Sequence, residues 1–258
     1  LLISAVSACK SHFLGSYFET LFSFAIENLS SLKVVLEHFQ IEHLSSLKVV
    51  LEHFQIEHFQ IEGKGKTLGE VDMLVETPEG ELHQFEIAIK FYLERPDLYP
   101  HDWIGPNKND SLLKKVTRAR EHQLSILQTE AGFSAIKSIV KNRVPKSNLL
   151  VFGRLYLALK NQQDIVSWLA QDGYGGWIRE SDFTLLMEHF SHFYMLEKPH
   201  WMAFPEISDK FILFSLQSAY NLVRKFLHDD RPKHVFLYHA LTESKSTNRS
   251  VFVVPDSW

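Results

Sequence analysis

Apolar positions along the chain follow two periods. Between residues 14 and 29, Leu14, Phe18, Leu21, Phe22, Ala25 and Leu29 fall on one stripe at helical spacing, which predicts a helix over 14–28. Residues 70–76 (EVDMLVE) and 81–93 (ELHQFEIAIKFYL) have strand character. The TPEG segment between them carries Pro and Gly at turn positions, so a hairpin is expected. Residues 102–110 read as a loop and 111–129 as a helix, with a shorter helix near 133–142. The apolar run at 148–159, NLLVFGRLYLAL, is the pattern of a strand covered on both faces. QDIVSWLAQ and SDFTLLMEHF are expected to be helical, the second capped by Ser181, and 211–229 a long amphipathic helix. HVFLYHALTE and RSVFVVP, joined by the polar SKSTN, predict a closing hairpin. This order is that of an α/β protein with a mixed sheet, a core over 1–160 and an α+β lobe of helices and hairpin over 161–258 packed on it.

A repeat interrupts the pattern. Residues 29–43 recur unchanged as 44–58, and HFQIE of 53–57 recurs at 58–62. Repeat architectures need three or more units to share a core, so the tract reads as a duplicated insert of about 43–62 in an existing fold. The last copy, 58–62, alone has a short connection to the strand carrying Asp72. Loop closure therefore favours it as the first core strand.

Side-chain parity picks out the candidate chemistry. On 81–93, Glu86, Ala88 and Lys90 share one face, backed by Phe85, Ile87, Ile89 and Phe91. On 70–76, Asp72, Leu74 and Glu76 share a face, and a hairpin can bring Asp72 near Glu86 or Lys90. Two carboxylates held together repel, and a hard divalent cation such as Mg²⁺ or Mn²⁺ relieves that repulsion. A lysine beside the cation can orient water and stabilise charge on a phosphate in transition. A cross-strand salt bridge is the structural alternative. In the helix that follows, Leu112, Val116, Ala119, Gln123 and Ile126 form an inward stripe, so Gln123 needs a partner from the backbone or from a site.

Charge adds one refinement. The net charge is −4, which gives no global attraction to nucleic acid. Between Gly105 and Lys146, however, nine Lys and Arg stand against three Asp and Glu, a local surplus of six. Lys108, Lys114, Lys115 and Arg118 are the candidates there for contacts to nucleic-acid phosphates. The one cysteine, Cys9, excludes an internal disulfide framework and suits a reducing compartment, so a cytoplasmic location is expected. No apolar run reaches the roughly 20 residues that span a bilayer, so no membrane partner is expected.

The runs LGEVDML, ELHQFEIAIKFYL, WIGPNKNDSLLKKV, HQLSIL and FVVPDSW together resemble a bacterial family known as domain of unknown function 1853. By similarity that family is placed in the PD-(D/E)XK nuclease-like superfamily. The resemblance extends from about Leu14 to Trp258 outside the insert. It implies a restriction-endonuclease-like αβββαβ core. It also implies a magnesium-dependent nuclease with Asp72 and Glu86 as metal ligands and Lys90 acting on water. Glu19 of the first helix and Gln123 would match the superfamily's supporting residues. The chain departs from the pattern at Ala88, which occupies the usual acid position two residues before the lysine. Its acid, Glu86, lies roughly 6–7 Å further along the strand. A catalytically inactive nuclease-fold module for nucleic-acid or protein binding is the alternative reading.

Overall fold

The computed structural model describes residues 13–31, 33–41, 69–195, 197–198, 200–202, 214–216, 230–238 and 248–258. Helix α1 spans Leu14–Leu29 and is followed by strands β1 (Lys33–Ile41), β2 (Gly69–Glu76), β3 (Leu82–Glu94) and the short β4 (Trp103–Ile104). Helix α2 (Leu112–Arg118) runs into a widened turn, Ala119–Gln123, and a 3₁₀ turn, Ile126–Gln128. Helix α3 (Glu130–Val140) leads to β5 (Lys146–Ala158), then α4 (Gln162–Leu169) and β6 (Gly175–Arg179). The chain closes with 3₁₀ turns at Glu180–Glu188 and strands β7 (His192–Met195), β8 (Phe214–Ser215), β9 (Lys233–Tyr238) and β10 (Arg249–Val254). These strands form a large mixed sheet in the order β1-β2-β3-β5-β6-β10-β9-β7-β8, with β4 on β3. Among the described residues no helix is long and apolar enough to cross a membrane.

The chain divides into two compact units, Leu1–Ile89 with Lys115–Phe152, and Lys90–Lys114 with Gly153–Trp258. In the first unit β1, β2 and β3 are antiparallel neighbours, with Phe39 opposite Val71 and Met73 opposite Phe85. Met73, Val75 and Ile87 pack with Phe18, Phe22 and Ile26 of α1. Val71, Leu74 and Leu82 pack instead with Ile126, Leu127, Ile136 and Val140. The strands are thus apolar at consecutive positions because two separate clusters draw on them. Thr129 caps α3, accepting from the Gly132 N–H at 3.0 Å.

The second unit is built on β6, which pairs in parallel with β5 and β10. β10 pairs antiparallel with β9, the expected closing hairpin, and β9 with β7. Leu159, Ile165, Trp168, Ile178, Phe183 and Phe193 are among the residues of its core. Tyr156 and His234 meet at 2.9 Å (hydroxyl oxygen to Nε2) among Phe91, Trp201 and Phe252. Burial depresses the His234 imidazole to about 3, so it stays neutral.

Several elements differ from the sequence pattern. The helix expected over 111–129 is broken in two by the turn at Ala119–Gln123. SDFTLLMEHF forms 3₁₀ turns rather than an α-helix. Its buried anchors Phe183 and Leu186 are three apart, the 3₁₀ period. β6 was not expected, since glycines disfavour a strand, yet a Cβ on Gly175 would collide with the Tyr156 ring. Close packing requires the glycine that local propensity penalises. β4 and β7 are also additions, two and four residues long. Of the helix expected over 211–229, Phe214 and Ser215 form a strand and 217–229 lie outside the described residues.

The strand beside β2 is made by the first copy of the repeat rather than the last. Residues 58–62 themselves, with the insert 43–62, lie outside the described residues. The physical reason is a second connection that the closure argument omitted. Only three residues separate α1 from β1, so the docking of α1 brings the first copy to the sheet edge.

Gly153 interrupts β5 at φ +127°, and a Cβ there would lie on the Lys90 carbonyl. Gly153→Ala is therefore expected to lower stability by about 2 kcal/mol or more, read as a drop in the urea midpoint at constant slope.

Candidate functional site

Register builds the site. The β2–β3 ladder runs from Glu76–Leu82 to Met73–Phe85 and ends one residue short of Asp72 and Glu86. Asp72 Oδ2 accepts from the Ile87 N–H at 2.7 Å, which fixes its carboxylate on β3. The polar face of β3 is covered: Gln84, Glu86 and Ala88 are all buried, Glu86 at 3% exposure. Two carboxylates brought together away from water cannot both ionise cheaply. Burial pushes the Asp72 carboxyl up, to about 8. The Glu86 carboxylate adds to this push, the Ile87 N–H opposes it, and Glu19 of α1 adds a smaller share.

Glu86 Oε1 accepts from Lys115 Nζ at 2.8 Å, while Glu86 Oε2 is buried with no donor. When Asp72 carries a proton it donates to Glu86, so one proton or one cation completes the pair. Lys115 is 14% exposed and comes from α2. Gln123 Oε1 lies 3.4 Å from the same ammonium. Its carbonyl accepts from Gln84 Nε2 at 2.9 Å.

The widened turn explains this meeting. Eight residues of unbroken α-helix make about 2.2 turns, which would leave Lys115 and Gln123 roughly 80° apart. Between Ala119 and Gln123 the helix closes instead on Leu124 N–H to Ala119 carbonyl, a bond of 2.8 Å spanning five residues. Such a turn advances less per residue, and it returns Gln123 to the face of Lys115.

Of the residues singled out in the sequence, Asp72, Glu86, Gln123 and Glu19 come together in this cluster. Lys90 falls in the second unit, where its Nζ donates to Asp110 Oδ2 at 2.8 Å. Tyr92 donates to the same oxygen at 3.2 Å. Lys114 and Arg118 are exposed. Lys108 reaches the Ser257 carbonyl at 3.4 Å and lies over the Trp258 ring, in line with a structural role. Lys115, grouped in the sequence with the surface lysines, and Gln84 were missed as members of the cluster. Gln84 had a signal, an even position two before Glu86 on the same face. Lys115 also had one, standing three after Leu112 and four before Ala119 on the flank of the inward stripe.

Among the described residues no group of three His, Cys, Asp or Glu is set to hold a metal. The donors present are two hard carboxylates, one with a buried free oxygen. That set fits Mg²⁺ or Mn²⁺, which take one or two carboxylates and keep several waters, better than zinc.

A family model described as Domain of unknown function (DUF1853) matches residues 2–254. No curated protein and no solved structure matches the chain.

The acid pair makes stability depend on pH. An acid held above its ordinary 3.8 favours folding in its protonated form, and that contribution is lost as pH rises through about 8. Asp72→Asn keeps an acceptor for Ile87 and removes the charge. It is expected to raise Tm at pH 8 by about 2 °C or more over wild type, and by less at pH 5. An equal shift at both values in thermal melts would refute the raised acid.

Proposed function

The chain belongs to the family Domain of unknown function (DUF1853), and from this premise we propose a metal-dependent phosphodiesterase acting on DNA or RNA, built on a restriction-endonuclease-like core. The observation that carries the reading is the half-buried Asp72 carboxyl against the buried Glu86, one oxygen of which has no donor. A structural ion pair needs one acid and one base, and a second carboxyl beside it must take up a proton or a cation. The order helix, three strands, helix, strand supports the proposed core.

Asp72 and Glu86 are the residues that would hold Mg²⁺ or Mn²⁺. The cation would supply Lewis-acid polarisation of a phosphoryl oxygen and a lower pKa for water. Hydrolysis joins a water oxygen to phosphorus as the bond to the leaving sugar oxygen breaks. The leaving oxygen keeps that electron pair and takes up the proton the water gives up. The Gln123 amide and the Glu19 carboxylate lie near the pair, and exposed Arg118 would meet the strand backbone. The second reading is an inactive module of the same fold. It is favoured by the Lys115–Glu86 bond, which satisfies one acid without any cation.

Isothermal titration of the full chain with Mn²⁺ separates the two. The phosphodiesterase binds Mn²⁺, and Glu86→Gln weakens binding by about tenfold or more and abolishes cleavage of a labelled oligonucleotide. Absence of Mn²⁺ binding selects the inactive module.

Binding of the oligonucleotide is expected to fall steeply with salt. Arg118→Ala should shallow the log–log slope by roughly one unit for a duplex. Salt-independent binding would remove nucleic acid as the partner.

A further inference from the structure

We propose that Lys115 is the catalytic lysine of this site, its ammonium held on Glu86 and aimed at a phosphate oxygen of the substrate. The inference rests on Asp72 and Glu86 being the cation ligands. It differs from the strand pattern, which gave this role to Lys90.

Three observations carry it. Lys115 Nζ is bonded to Glu86 Oε1 at 2.8 Å, so whatever Glu86 binds is beside this ammonium. An ammonium has three N–H donors. One meets Glu86, a second has only the long 3.4 Å contact to Gln123, and the third has no acceptor among the described residues. A donor is thus left over at the acid pair, where phosphate charge would develop. The position is also built rather than incidental. Gln84, 1% exposed, ties the carbonyl of the widened turn to β3, and that turn sets Gln123 on the face of Lys115. Lys90 contrasts on each count. Its ammonium is bonded to Asp110, whose oxygen is shared with Tyr92.

In this role Lys115 acts only as a hydrogen-bond donor. It donates N–H bonds to a non-bridging phosphate oxygen and neutralises part of the charge that gathers there, so no proton or electron pair is transferred through it. The same ammonium competes with a divalent cation for Glu86, because both are positive and share one carboxylate.

The test uses Lys115→Met in the full chain, with Mn²⁺ affinity and oligonucleotide cleavage measured side by side. Met keeps the stem length and removes the charge. Cleavage should fall about a hundredfold or more, while Mn²⁺ binds about tenfold tighter, since the competing cation is gone. A lysine that only stabilised the fold would lose both activity and Mn²⁺ binding, and that result overturns the proposal. Unchanged cleavage and unchanged affinity overturn it too, and leave the acid pair standing. Normal cleavage in Lys115→Met with loss in Lys90→Met returns the role to Lys90. Absence of Mn²⁺ binding in both wild type and variant overturns the acid-pair reading, and the Lys115 role with it. If Lys115→Met does not fold, Lys115→Gln keeps a donor to Glu86 without the charge and carries the same comparison.

Discussion

The constraint on which the site depends is the antiparallel register between β2 and β3. A slip of one residue would turn Asp72 to the face of Met73 and Val75, away from Glu86. The register is held by two apolar clusters that draw on alternate stretches of the same strands, Met73 and Val75 toward α1, Leu74 and Leu82 toward α3. Each cluster alone fixes the parity. Together they oblige two carboxylates to face one another in a buried place.

That obligation shapes its neighbours. Repulsion between the acids is met by the Ile87 N–H, by a shared proton and by the Lys115 ammonium. The ammonium comes from a helix that could not deliver both Lys115 and Gln123 while remaining regular. The widened turn costs regular hydrogen bonding, and it gains two polar side chains on one face. Gln84 closes this arrangement by joining the turn back to the strand of Glu86. The raised Asp72 carboxyl, the Lys115–Glu86 ion pair and the helix irregularity thus meet in one place.

The second unit follows different rules. Its polar groups serve the fold: Glu94 accepts from Ala158 N–H, Trp177 donates to the Glu94 carbonyl, and His234 is kept neutral by burial against Tyr156. Glycines 175 and 153 give backbone room to Tyr156 and to Lys90. Such contacts order a core, whereas the Lys90–Asp110 pair beside Tyr92 is part-exposed.

Sequence by itself determined the elements with strong periodicity: α1, the β2–β3 hairpin, β5, and the β9–β10 hairpin. It also put Asp72 within reach of Glu86 or Lys90, because strand parity is a local property with a period of two. Glu19 and Gln123 were legible only through the family resemblance and the helical stripe. Tertiary structure decided the rest. Which repeat copy enters the sheet turned on the short link from α1, since identical sequences carry no information to choose between them. β6 forms through the packing of Tyr156 against glycine, which no local propensity records. Gln123 meets the Lys115 ammonium because a helix break altered the angle between positions eight apart. A periodicity argument assumes that angle and cannot detect its change.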